Sequence, residues 1–339
     1  MLGILVRRRT AQAGSSLVPG GSGSEALFLT NRTEILDQDQ CGRGGRAYAA
    51  NSQFTGLRRG NSMSYKTILS VTGIHQSDDD LRAAAELCGT AGAHLSALIV
   101  ALSAPPPIGE YAATVSVSWL EERNREIEKL DQQAVDAKAL LAQTGISFDV
   151  DTIYTETAWS DDEIGERASY ADIAVLGPDL KLDPELRARA IDGCLFKSAR
   201  PVFIVPKRGT STFSPKTIVL AWDSRLEAAR AAREAVDMMT HAEVHVTLVD
   251  PQASSARNGE EPGADVAAYL ARHGIAVTVD RLASGGRPVA EVLNQHALDV
   301  SADLLVMGGY SHSRLRERLF GGVTKAMLAS SIVPVMMVH

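Results

Sequence analysis

Residues 307–325 read MGGYSHSRLRERLFGGVTK, with two glycine pairs around an arginine-rich stretch, directly after the apolar run DLLVM. Glycines at a strand end let backbone N–H groups approach an anion closely. A helix that follows adds its N-terminal amides and the positive end of its dipole. On that reading Gly308, Gly309 and Ser311 form one wall of a phosphate cradle, and Gly321, Gly322 and Thr324 form the other. A second apolar run, TIVLAW, ends in Asp223-Ser224, where an acid can accept hydrogen bonds from ribose hydroxyls. Each piece also has a plainer reading. Gly308-Gly309 can simply turn the chain, Gly321-Gly322 can separate two helices, and Asp223-Ser224 can cap the helix that follows. It is the conjunction of two such strand ends that points to a ligand.

Other candidates carry less. His312, Arg314, Arg316 and Arg318 can neutralise phosphate charge. Arg314 and Arg318 share a helix face at i, i+4 while Arg316 points elsewhere, so all four cannot converge and a solvated basic face accounts for at least one. Ser77-Asp78-Asp79-Asp80 resembles a metal cluster, but a Ser N-cap with acids in the first helical turn explains it, and no metal is assigned. His241, His245 and His273 are scattered and read as structural. The sequence has no GxxxxGK[ST], HExxH or GxSxG, so P-loop, zinc-protease and α/β-hydrolase chemistry have no support.

The elements that must position these residues repeat along the chain. YKTILSVT (65–72) recurs as PKTIVLAWD (215–223), ADIAVLG (171–177) as ADLLVMG (302–308), and ARPVFIVP (199–206) as IVPVMMVH (332–339). Such self-similarity is the first guide to a fold. It defines a first unit at 65–206, a Gly/Ser/Thr/Pro linker KRGTSTFSP at 207–215, and a second unit at 216–339. Within each unit, apolar runs alternate with helical patterns. Leu226, Ala229, Ala232, Val236 and Met239 mark one helix face in the second unit. Leu120, Ile127, Leu130, Ala134, Ala137 and Leu141 mark a longer one in the first. Strands that are apolar throughout, separated by helices, imply parallel sheets covered on both faces. Each unit is therefore expected to be a doubly wound, five-stranded parallel-sheet α/β domain, with ligands at the carboxyl ends of its strands. Residues 1–64 are Gly/Ser/Arg-rich without periodicity. They read as a disordered tail, or as sequence upstream of a natural start at Met63.

Composition narrows the classes. The chain has 339 residues, 45% hydrophobic and 22% charged, with a net charge of −7. Residues 1–64 hold eight arginines against four acids, so the remainder is more acidic than the total indicates. A nucleic-acid binder is not expected. Cys41, Cys88 and Cys194 are far apart, without a CxxC, which argues against a zinc or disulfide framework and for a reducing cytoplasm. No window approaches the roughly 18 apolar residues of a membrane span. MLGILVRRRT also puts its apolar residues before its arginines, the wrong order for a secretory signal.

Taken together, these residues resemble the universal stress proteins. That family carries Gly, two residues, Gly, nine residues, then Gly and Ser or Thr after its fourth strand, and an Asp after its first. From Gly308 the count runs through Gly309 and Tyr310 to Ser311, then His312 to Phe320, then Gly321 and Gly322. Asp223 stands where the family's acid does, and AWDSRLEAARAA and VPVMM are similar to family sequence. Ser311 replaces the second glycine and Gly322 the Ser/Thr, a hydroxyl that Thr324 can supply. The resemblance covers about 65–339 as a tandem pair of Rossmann-like domains. It implies a non-enzymatic stress-response protein that binds ATP or AMP, with or without Mg²⁺, through Asp223, Ser224, Gly308, Gly309, Ser311, His312, Gly321, Gly322 and Thr324. Some members bind no nucleotide, so a ligand-free interaction module stays open. So does an adenylating or ATP-pyrophosphatase-like enzyme, although AWDSRLEA offers no catalytic loop. The first unit reads as degenerate: it has Thr72 where the second has Asp223, Gly177-Pro178-Asp179 at its fourth strand end, and Ala188-Arg189 opposite Gly321-Gly322. In single-unit members the closing strands pair across a dimer. Here they can pair internally, giving a pseudo-two-fold monomer that can dimerise further and whose protein partner is unknown.

Overall fold

The computed structural model describes residues 65–103, 105, 117–207, 209–253, 260–310 and 322–339. All of them fall within one compact unit, Gly44–His339. The expected tail at 1–64, and Cys41 with it, lies outside the described residues. The first half runs β1 (Thr67–Gly73), α1 (Asp79–Ala91), β2 (His94–Ser103), α2 (Val117–Ala142), β3 (Phe148–Glu156), α3 (Ser160–Ala168), β4 (Ile173–Leu176), α4 (Pro184–Asp192) and β5 (Val202–Ile204). A 3₁₀ turn at Leu180–Leu182 precedes α4 and a π-turn at Gly193–Lys197 follows it. The second half runs β6 (Thr217–Ala221), α5 (Leu226–Glu234), α6 (Val236–Met239), β7 (Glu243–Val249), α7 (Ala264–Arg272), β8 (Ala276–Leu282), α8 (Val289–Asp299), β9 (Leu304–Gly308), α9 (Val323–Ser330) and β10 (Val335–Val338).

The ten strands form one sheet in the order β3-β2-β1-β4-β5-β10-β9-β6-β7-β8. Every pairing is parallel except β5 with β10. The repeat extends to single hydrogen bonds. In the first half Asp172 Oδ2 accepts from the amides of Lys66 and Thr67 at 2.6 and 2.9 Å. In the second, Asp303 Oδ2 accepts from Lys216 and Thr217 at 2.8 and 3.1 Å. One aspartate before the fourth strand thus clips the start of the first strand in each half.

Side chains alternate across the sheet, as the two-residue strand period requires. Ile218 and Leu220 face the layer that holds α1, α2, α5 and α7, while Val219 and Leu305 face α3, α4, α8 and α9. Both layers run continuously through the two halves. The buried face of α5 is Ala228, Ala231 and Ala232, with Ala235 beyond it. The expected face holds in its later part, where Ala232 and Met239 are buried and Val236 packs against the core, but not at its start: Leu226 is 60% exposed and Ala229 is exposed. On α2 the lower part of the expected stripe holds, with Leu130, Ala134, Ala137 and Leu141 buried and Leu120 exposed. In the linker segment, Phe213 is buried and packs edge-on against Tyr65 and Phe203 at centroid distances of 5.4 and 5.0 Å.

Candidate functional site

In the second half the chain lays down β6, β7 and β8 outward in one direction, then crosses to place β9 on the other side of β6. Winding reverses between β6 and β9, and ligands of open α/β sheets bind at the carboxyl ends of such a pair. Ala221 pairs with Met307, so Asp223 and Gly308 leave neighbouring strands side by side. The same register in the first half, Val71 with Leu176, makes Gly73 the counterpart of Asp223, and Thr72 that of Trp222.

Asp223 Oδ1 accepts from the Arg225 amide at 3.0 Å, and Oδ2 lies 3.6 Å from Arg225 Nε. Its side chain is 52% exposed, so carboxylate lone pairs face outward while the residue shapes the entry to α5. The N-cap of α5 is Arg225, with no side-chain cap bond, so Asp223-Ser224 does not cap the helix in the expected way. Ser224 adopts φ 61°, in the left-handed region.

Gly308 has no room for a side chain: a Cβ there would lie 2.6 Å from Ala228 N and 2.7 Å from Glu227 C, in the first turn of α5. Gly309 is buried, its amide donates to Val338 O at 2.8 Å, and its carbonyl accepts from His339 Nδ1 at 3.0 Å. A Cβ on Gly309 would meet Met337 Cγ at 2.7 Å. Tyr310 carries φ 59°, and its amide donates to Thr324 Oγ1 at 3.2 Å. Its ring sits edge-on to Phe196 of the first half at 5.2 Å. Gly322 is the extended N-cap of α9, and Thr324 in the first turn is buried. The Tyr310–Thr324 bond therefore brings Gly308–Tyr310 and Gly322–Thr324 to one corner beside Asp223. A hydroxyl that accepts this bond can still donate its own proton. Ser311, His312 and Gly321, with Arg314, Arg316 and Arg318, lie outside the described residues.

The equivalent corner of the first half is occupied by the chain itself. Asp80, fully buried in the first turn of α1, accepts from the Asp179 amide at 2.7 Å and from Thr72 Oγ1 at 3.1 Å. A Cβ on Gly177 would fall 2.3 Å from Asp80 Oδ1. Asp179 is the counterpart of Tyr310, so an amide that holds Thr324 in one half holds a carboxylate in the other. Burial pushes the Asp80 carboxyl up to about 6, against hydrogen bonds from Asp179 and Thr72 that lower it. The reading of Ser77–Asp80 as a capping run missed this role. Ser77 Oγ does accept from the Asp79 amide at 3.2 Å, but it also donates to Asp179, and Asp80 turns inward.

Residues 215–339 match the family model described as the Universal stress protein family. This segment carries the sequence pattern of that family. A universal stress protein from Archaeoglobus fulgidus DSM 4304 superposes with a TM-score of 0.56 at 17% identity, covering 80% of this chain and 95% of that one. That coverage exceeds the matched segment, so the universal stress protein fold extends over both halves. A putative universal stress protein from Pseudomonas aeruginosa UCBPP-PA14 is similar at 16% identity over 82% of this chain and 95% of that one, with a TM-score of 0.47. A universal stress protein solved in complex with cAMP is 21% identical over 37% of this chain and 98% of that one, with a TM-score of 0.31. None of the curated proteins matches the sequence.

Proposed function

We propose that the chain is a tandem universal stress protein of the cytoplasm that binds one ATP or AMP, without turning it over, at the β6–β9 corner. On this reading 65–206 and 216–339 are the two domains and 207–215 joins them. The first domain is structural or a surface for a protein partner. The observation that carries the reading is the Tyr310–Thr324 bond, which holds the loop after β9 against the start of α9, next to a half-exposed Asp223.

The amides of Gly309 and Tyr310 already have partners, so the phosphates belong at the first turn of α9, with the β9 loop as a wall. Gly322, at the N-cap, has no side chain to compete for those amides. Asp223 would take the ribose hydroxyls, and Ser311, His312 and Gly321 would complete the seat. Native mass spectrometry of freshly purified protein tests this: one adenine nucleotide per chain is expected. A protein that is empty and takes up neither added ATP nor AMP contradicts it. That outcome would select the second reading, a ligand-free interaction module. It is favoured by the packing that alone accounts for Gly308 and Gly309.

A further inference from the structure

Three side chains of the second half meet away from that corner and share no residue with it. His245 on β7 pairs with Thr278, and Thr247 pairs with Asp280, so Asp280 on β8 lies one diagonal step from His245 on the same sheet face. Helix α8 crosses that face, with Leu293 and Ala297 in its core layer, and His296 extends from it toward the two strands. His245 Nδ1 lies 2.8 Å, and His296 Nε2 2.9 Å, from the same oxygen, Asp280 Oδ2. The side chains are only 13%, 11% and 21% exposed for His245, His296 and Asp280. One donor atom from each lies within 4.8 Å of the other two.

From this arrangement we infer a divalent transition-metal site of the zinc class, with His245, Asp280 and His296 as ligands and Glu243 orienting His245. Two imidazoles and a carboxylate are a borderline donor set. It suits Zn²⁺ and its neighbours in the first transition row, not Mg²⁺ or Ca²⁺. Tetrahedral bonds of about 2.0–2.1 Å put ligand atoms roughly 3.3 Å apart, so the three donors need to shift by no more than about 1.5 Å to close on an ion. A ligating imidazole must present a lone pair and carry its proton on the other nitrogen. For His245 that outer nitrogen, Nε2, lies 3.6 Å from Glu243 Oε1, the kind of carboxylate that fixes a metal-bound ring. Three protein ligands leave a fourth position for water or a fourth donor. Burial raises the Asp280 carboxyl, but hydrogen bonds from His296 and His245 outweigh it and keep it below its ordinary value. The remaining described cysteines, Cys88 and Cys194, are buried and do not compete for the ion.

The test uses the full chain without a polyhistidine tag, stripped with EDTA and freed of nucleotide on charcoal, and Zn²⁺ alone titrated against a chromogenic chelator. One Zn²⁺ per chain with micromolar or tighter affinity is expected, with a rise in melting temperature of about 5 °C at saturation. His296→Gln can still hydrogen-bond Asp280 but offers no imidazole, and should weaken binding at least about tenfold. Asp280→Asn should do the same, and His273→Ala should leave binding unchanged. Failure of wild type to bind at tens of micromolar Zn²⁺ overturns the assignment. So does wild-type affinity in either His296→Gln or Asp280→Asn with an unchanged circular dichroism spectrum. Because the readout is metal without nucleotide, it succeeds or fails independently of the β6–β9 site.

Discussion

Asp80 is a carboxylate out of reach of water, with the Asp179 and Leu180 amides and the Thr72 hydroxyl to hold it and the Asp179 carboxylate nearby. Burial therefore wins, and the group titrates at about 6 instead of its usual 3.8. Below about pH 4 both folded and unfolded chains hold this proton, and the site carries no penalty. Between about pH 4 and 6 the unfolded chain releases it while the folded chain keeps it, so stability falls as pH rises. Above 6 the penalty is complete, on the order of 2–3 kcal/mol. Asp80→Asn keeps the shape without the charge. Urea unfolding of the variant and wild type from pH 4 to 7 should diverge by about that amount, with wild type losing stability relative to the variant. Parallel curves would contradict the assignment. The residue scale is also where the sequence was hardest to read. Asp223 and the glycine pairs announce themselves because strand ends punctuated by Gly and Asp are local features. Asp80 looks like any acid in a first helical turn, and only the fold reveals that it points into the corner. His296 and Asp280 lie 16 residues apart and on different elements, so no spacing rule links them.

Helix α9 is held at both ends, and the two ends draw on different halves of the protein. Its N-terminus opens on the β6–β9 corner. At its C-terminus Leu328 O accepts from Arg187 Nη2 at 2.7 Å and Ala329 O from Lys181 Nζ at 2.6 Å, while Asn294 Nδ2 reaches Ser330 O at 3.3 Å. Arg187 and Lys181 come from the first half, and their positive charge complements the negative end of the helix dipole. Burial pulls the Arg187 guanidinium below its ordinary value but leaves it charged at any physiological pH. Arg187→Met should cost roughly 1–2 kcal/mol in urea unfolding, whereas Lys181→Met, on an exposed side chain, should cost well under 1. Equal costs would show that the dipole contact does not discriminate between them. The alternation of apolar strands with amphipathic helices was legible here, because period and length are encoded locally. The α5 face was legible only in part: in LEAARAARE alanines serve both the buried and exposed sides, so composition does not choose between adjacent registers at the start of the helix.

At the scale of the molecule, the antiparallel seam of β5 and β10 turns two sheets into one. Phe203 and Met336, each the fifth residue of its repeat segment, face one another, with Val202 opposite Met337 and Ile204 opposite Val335. Equivalent residues meeting in this way put a local two-fold axis through the seam, so the internal pairing expected from the repeat is present. Phe213 reinforces it from the connecting segment through Tyr65 and Phe203. A single cooperative unfolding transition is expected for wild type. Phe213→Ala should lower stability by about 3–4 kcal/mol and separate the melting of the halves in calorimetry. One unchanged transition in the variant would mean that the halves are coupled elsewhere. The most direct test of the account as a whole is titration of ATP into wild type, Asp223→Ala and Ser311→Gly by isothermal calorimetry. One site per chain, weakened at least about tenfold in Asp223→Ala and tightened in Ser311→Gly, is the expected result. Wild type that takes up no ATP, or an Asp223→Ala variant that binds as wild type does, would contradict a nucleotide seat at the β6–β9 corner.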